Sequence, residues 1–268
     1  MSAMTLTLRD GLDGRVDMSG ILPENLDGKP EGVIAAMPLR LDGRPVPLGE
    51  LFTVHGGPGE TLVVQAGAAR LDCLGKDMKT GRLRVEGPAG HYAGQGMKGG
   101  EMVIAGDAGD FAACGMKAGL LRIQGNAGDW LGAALIGDRA GMAGGVVAVS
   151  GNVGDRLGDR MRRGLVLVGG RAGEACGARM LAGTLVVAGG CGGMAGFGLR
   201  RGSLILGTRP DEIPATFNDA GVADLSWLGL LGRQAQAWLP GVVPATGRMG
   251  RYMGDLAFGG KGEMLVPA

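Results

Sequence analysis

The residues of this chain that could do acid–base or metal chemistry recur along it instead of gathering in one motif. His91, Asp110, Asp129, Asp155 and Glu174 follow one another in steps of 19 residues, with a single step of 26. If the segments that carry them stack in register, the carboxylates form a ladder with about 4.8 Å between rungs. Such a ladder could hold a metal ion or supply an acid/base pair for cleaving a carbohydrate chain. It could also serve the turns themselves, because Asp accepts hydrogen bonds from nearby backbone N–H groups and a recurring turn brings its acceptor with it. The second reading is the simpler one: catalysis needs one pair, and this row offers five equivalents.

A basic row runs at another phase: Lys79, Lys98, Lys117, Arg162 and Arg200. It could pair with the acids, face solvent, meet an acidic partner surface or follow a polyanionic chain. Other chemistry is poorly supplied. Gly94-x-Gly96-x-x-Gly99 fits the dinucleotide pattern, but at this glycine content roughly two or three such matches arise by chance, and none opens a βαβ unit. No GxxxxGK[ST] loop occurs, and His55 and His91 are the two histidines, too few for a histidine-based zinc site or triad. Cys73, Cys114, Cys176 and Cys191 form no CxxC pair and read as small buried residues of a reducing cytosol. From Met1 to Arg9 there is no apolar core of leader length, and no run approaches a membrane span, so a cytoplasmic location is expected. No catalytic residue, cofactor site or metal site is expected on the chain.

The rows exist because the chain repeats. It has 57 glycines in 268 residues, about 21% against an average near 7%. Glycine does not fall at every third position, which excludes collagen. A hydrophobic content of 45% and a net charge of +1 exclude disorder and argue against a nucleic-acid binder. Glycines at 81, 100, 119, 145, 164, 183 and 202 open seven segments, and the 26-residue interval contains extra residues around Leu135 to Gly141. Two residues after each glycine lie Leu83, Met102, Leu121, Val147, Val166, Leu185 and Leu204; four after lie Val85, Ile104, Ile123, Val149, Val168, Val187 and Leu206. Methionine stands three before the glycine in six of the seven segments, and a further apolar row runs through Ala93, Ala112, Leu131, Leu157, Cys176 and Ala195. Alternation after the glycine is strand-like, and glycine this frequent is costly in helices. Four inward rows at fixed phases predict an all-β fold, a right-handed parallel β-helix of about 19-residue coils. The methionines are then core.

Outward phases distinguish the coils. Early ones carry Arg82, Arg84, Glu101 and Arg122, whereas later ones carry Val146, Ala148, Leu165, Leu167, Val186 and Ile205. The later face is expected to be covered, by the chain's own tail or by a partner, with the partner favoured because the apolar row spans several coils. The tail offers Trp227, Leu228, Leu230, Leu231 and Trp238 on a short helix ending before Pro240. The organisation expected is a capping segment over 1–55, coils over 56–208 with Thr61 to Val64 as an imperfect first coil, and a tail over 209–268 packed on the solenoid.

The GxxMxxGxLxVxGxAG coils resemble those of the C subunit of formylmethanofuran dehydrogenases and of the related C subunit of the formyltransferase/hydrolase complex of methylotrophic bacteria. More distantly they resemble the C-terminal β-helix domain of glutamate synthase. Arg251-Tyr252-Met253-Gly254-Asp255-Leu256 with Gly259-Gly260-Lys261-Gly262-Glu263 is similar to that family's closing motif. The resemblance covers essentially the whole chain. It implies a non-catalytic scaffold whose partners are an amidohydrolase-like A subunit, a B subunit and a formyltransferase D subunit. Such a complex moves formyl from formyl-tetrahydromethanopterin to a methanofuran-type carrier and releases formate during formaldehyde oxidation. The bias of Arg over Lys favours that complex over a molybdenum or tungsten dehydrogenase, which stands as the alternative. A β-helical carbohydrate-active enzyme is a further one. If the formyltransferase reading holds, the row from Lys79 is a contact for the carrier.

Overall fold

The computed structural model describes residues 3–11, 14–57, 59–67, 70–245 and 247–268; Met1 and Ser2 of the stretch inspected for a leader lie outside these. In chain order the first elements are β1 (Ala3–Leu8), β2 (Val16–Asp17), α1 (Pro23–Leu26), α2 (Glu31–Ala35), β3 (Pro38–Leu41), β4 (Arg44–Pro47), α3 (Leu48–Leu51), β5 (Phe52–Gly56), β6 (Thr61–Gln65) and β7 (Leu71–Asp72). The repeats follow as β8 (Arg82–Glu86), β9 (Lys98–Ile104), β10 (Ala118–Ile123), β11 (Ala143–Val149), β12 (Arg163–Val168), β13 (Thr184–Val187) and β14 (Ser203–Leu206). The tail holds β15 (Asn218–Asp224), α4 (Ser226–Ala235), β16 (Arg248–Gly254), a 3-10 turn at Leu256–Phe258, and β17 (Gly262–Pro267).

The chain is mostly β, built on a 13-stranded sheet in the order β5-β1-β6-β8-β9-β10-β11-β12-β13-β14-β17-β16-β15. Neighbours from β1 through β17 pair in parallel, and antiparallel pairs finish both ends. A 4-stranded sheet, β4-β3-β2-β7, lies beside the first repeats. The register of the large sheet is the register of the repeat: Leu83, Met102, Leu121, Val147, Val166, Leu185 and Leu204 stand opposite one another in turn. A slip of one residue would turn that whole row outward, so burial fixes the pairing. Leu121 pairs directly with Val147, which leaves residues 135–141 outside the ladder.

Further along each repeat, Ala89, Ala108, Ala127, Val153, Ala172 and Cys191 form a second column of parallel bridges. A third column links turn to turn: Ala113 N donates to Ala93 O, Gly158 N to Leu131 O and Gly196 N to Cys176 O, each at 2.8 Å. All the inward rows are buried, the methionines included. Each methionine ends beneath the opening glycine of the following repeat. A Cβ on Gly119 would stand 2.8 Å from Met97 Cε, and its φ of +94° is one that side chains resist. Glycine at this position is thus required twice over, by conformation and by the packed methyl.

The tail helix is shorter than the apolar spacing suggests. It ends at Ala235, and the chain runs on in turns to Pro240. The closing motif is a clasp. The Arg251 guanidinium meets Glu263 at 2.8 Å, Arg209 donates to the Tyr252 hydroxyl at 2.7 Å, and the buried Asp255 carboxylate accepts from Gly198 N at 3.0 Å. These bonds tie β16 and β17 to the last repeats.

Candidate functional site

The acidic row is an unbroken chain of acceptors. Asp72 Oδ1 takes the N–H of His91 at 2.7 Å, His91 Nδ1 takes that of Asp110 at 2.9 Å, and Asp110 Oδ1 takes that of Asp129 at 2.9 Å. Asp129 and Asp155 continue it, accepting from Asp155 N at 2.8 Å and Glu174 N at 2.7 Å. Asp72, 19 residues before His91, is a member that the spacing alone would have supplied. A second ladder runs beside the first: Asn126 N donates to Asp107, Asn152 N to Asn126 Oδ1 and Arg171 N to Asn152 Oδ1, over 2.6–2.9 Å. Here a neutral amide does what a carboxylate does in the first ladder, so accepting this backbone hydrogen bond does not require the charge. The glycine before each rung is explained by the same geometry. A Cβ on Gly128 would land on Asp110 Oδ1, and one on Gly154 on Asp129 Oδ1. The repeated Gly-Asp and Gly-Asn pairs are therefore one device, a side chain folded over the backbone of the next repeat.

Among the described residues no group of three or more His, Cys, Asp and Glu side chains is placed to hold a metal ion. All four cysteines are free thiols. Burial pushes the Cys114 thiol up to about 12, and a hydrogen bond to Cys191 together with burial holds Cys176 well above the usual range, so neither is a ready nucleophile. Gly94 and Gly96 lead into β9 and Gly99 lies within it, a strand and not a helix N-terminus. A row missed in the sequence is aromatic: Tyr92 stacks on Phe111 at 5.2 Å, Phe111 on Trp130 at 5.9 Å, and the Arg156 guanidinium lies 4.8 Å from the Trp130 ring. Its 19-residue spacing was available to find it.

The basic residues do stack. Lys98 N donates to Met78 O, Lys117 N to Met97 O, Arg162 N to Met142 O and Arg200 N to Met180 O, which sets each one repeat beyond the methionine it bonds. Ala143 and Leu181 interrupt the row at its own phase, and Lys261 from the tail extends it through Lys261 N to Arg200 O at 2.7 Å. Lys79, Lys98, Lys117, Arg162, Arg200 and Lys261 are all exposed. Lys98 is paired with Asp77 at 2.7 Å, and the backbone N–H of Lys79 is held by Glu24 of α1 at 2.8 Å.

The outer face divides as its residues do. Arg82, Glu101 and Arg122 form a loose charged group with separations of 3.9 Å. On the later strands Ala148, Leu167, Val186 and Ile205 are buried in a second apolar cluster with Leu228, Ala235, Val242, Val243, Met249 and Leu265, all from the tail. Trp227, Leu231 and Trp238 pack on its margin beside Leu165, while Val146 is half-buried outside it. The amphipathic α4 lies over these strands because each side supplies the apolar surface the other lacks.

No protein-family model matches the chain. It is 40% identical over 86 residues to the C subunit of the formyltransferase/hydrolase complex Fhc of Methylorubrum extorquens, a stretch that spans 32% of this chain and 32% of that protein. A chain in the crystal structure of the formyltransferase/hydrolase complex (FhcABCD) from Methylorubrum extorquens, solved with methylofuran, superposes with a TM-score of 0.91 at 38% identity, covering 98% of this chain and 99% of that one.

Proposed function

The chain belongs to the family of C subunits of formyltransferase/hydrolase complexes, and from that premise we propose that it is the non-catalytic scaffold of such a complex. The partners in this reading are an amidohydrolase-like A subunit, a B subunit and a formyltransferase D subunit, working in the cytoplasm. Together they move formyl from formyl-tetrahydromethanopterin to a methanofuran-type carrier and release formate. The observation that carries the scaffold role is the double ladder: the recurrent polar side chains, which could have formed an active site, bind the chain's own backbone.

Three hydrogen-bonded columns around the inward rows support a right-handed parallel β-helix over 56–208, capped by 1–55 and closed by 209–268. Parallel strands need crossover connections, and here each crossover is a turn that stacks on its neighbour. The exposed row from Lys79 through Lys98, Lys117, Arg162 and Arg200 is a contact for the anionic carrier or for an acidic partner.

The test is native mass spectrometry and metal analysis of the complex purified through a tag on this chain. Amidohydrolase-like and formyltransferase chains without molybdenum or tungsten are expected. Molybdenum or tungsten with iron–sulfur partners would move the chain to the dehydrogenase, and a lone monomer would overturn the scaffold role. Replacing Lys98 and Lys117 by Glu is expected to weaken carrier binding by the assembled complex; unchanged binding removes the row from the account.

A further inference from the structure

The loop 135–141 is the one interruption of the repeat spacing between Gly81 and Gly202. Ile136 at its tip is 99% exposed. The loop is nonetheless held at both ends and in the middle. Ala134 N donates to Asp159 O at 3.0 Å, Gly141 N to Arg160 O at 2.9 Å, and Arg160 Nη1 to Asp138 O at 3.0 Å. An isoleucine side chain held fully in water contributes no burial to the stability of this chain.

Beneath it runs a groove in two sections. The first, about 460 Å³, lies between Phe111, Trp130 and Ile136, and the second, about 490 Å³, is bordered by Arg139, Arg200 and Phe258. Arg160 and Arg179 line both. The carboxylate within reach, Asp159, is buried below and already engaged by Arg179, with Arg156 at 3.8 Å. Among the described residues, the guanidinium groups of Arg139 and Arg200 have no partner. At the far end Phe197 and Phe258 meet edge to face at 5.2 Å and are 46% and 48% exposed.

We infer that this face is a protein-docking surface, and that its occupant is an acidic segment of a partner subunit with an apolar pocket for Ile136. The inference rests on the scaffold reading and names where one partner sits. Arginine beside exposed aromatic and aliphatic anchors is the composition of interface centres. Unpaired guanidinium groups select carboxylates, which they bind bidentately. A small free anion would leave Ile136, Phe197 and Phe258 in water. A second copy of this chain would set arginines against arginines, whereas an acidic segment meets both needs.

The experiment compares complexes purified through a tag on wild-type, Ile136→Asp and Arg139→Glu chains by native mass spectrometry across ionic strength, with Arg84→Glu on the open outer face as control. Both groove variants are expected to lose one protein partner about 10-fold more readily than wild type, while the control retains it and all four chains melt together within about 2 °C. Because the Arg139 guanidinium makes no hydrogen bond or ion pair with another described residue, that variant decides the matter even if Ile136→Asp unfolds. Full retention of every partner by Arg139→Glu overturns the surface, and so does a wild-type homodimer that Ile136→Asp dissociates. A wild-type chain that brings down no partner at all refutes the scaffold reading on which the surface depends.

Discussion

Strands β8 to β10 and strands β11 to β14 share one interior and differ in their exteriors. Inside, Leu83 and Val85 are replaced along the sheet by Val166 and Val168 with no change of role, all of them buried. Outside, the phase that holds Arg84 and Arg122 in the early repeats holds Ala148, Leu167, Val186 and Ile205 in the later ones. The early face is a solvated charge group, and the later face is a second core roofed by α4 and the closing strands. Repetition thus sets the fold through the inward rows, while the outward rows remain free to decide what each part of the stack binds. The tail reaches back to Arg122, whose Nη2 donates to Ala237 O at 2.9 Å.

The contrast breaks most visibly at matched phases. Leu167→Ala is expected to cost about 2–5 kcal/mol, since it empties a buried site under the tail, whereas Arg84→Ala should stay within about 0.5 kcal/mol. Denaturant unfolding of the two variants measures the difference; equal losses would mean that the later face is not a core. A smaller effect is expected at the clasp. Asp255→Ala frees the Gly198 N–H that its carboxylate now accepts and should cost about 1–3 kcal/mol. Proteolysis should then cut the tail before the repeats, while Asp255→Asn restores part of the protection.

Smaller again is the ladder. Asp129→Ala removes the acceptor for Asp155 N and should cost about 1 kcal/mol. Asp129→Asn should be close to neutral, because Asn126 and Asn152 already fill the equivalent role. Neither should alter turnover of the assembled complex, and a loss with Asn would reinstate acid–base chemistry. The smallest difference concerns thiols. Half-buried Cys73 in the first repeat should alkylate before Cys176, which is fully buried and held above its usual range. Mass spectrometry after a timed pulse of iodoacetamide at pH 8 orders them.

What was legible in the sequence was what recurs. The phases of Leu121 and Val147 placed them opposite each other across a 26-residue step, because a pleat of period two tolerates a loop but not a slip. The Gly-Asp pairs showed a recurring turn, yet only the geometry of Asp110 over Gly128 shows why the glycine must precede the acid. Asp72 and the Tyr92–Phe111–Trp130 stack were within reach of the same spacing. Non-recurrent contacts were not legible. Lys261 joins the basic row because β17 adds to β14, a pairing across some 60 residues with no periodic signal. The apolar outer phase of Leu167 and Val186 called for a cover, but that Leu228 and Val243 supply it is a tertiary fact.

Hydrogen–deuterium exchange of the chain alone and in its complex tests this division most directly. In the isolated chain the backbone of β11 to β14 and α4 should already be slow, and assembly should change it little. New protection should fall on the loop around Ile136 and on the groove beside Arg160 and Arg179. If β11 to β14 exchange freely in the isolated chain and slow only in the complex, a partner and not the tail covers the later face, and the comparison drawn between the two regions is wrong.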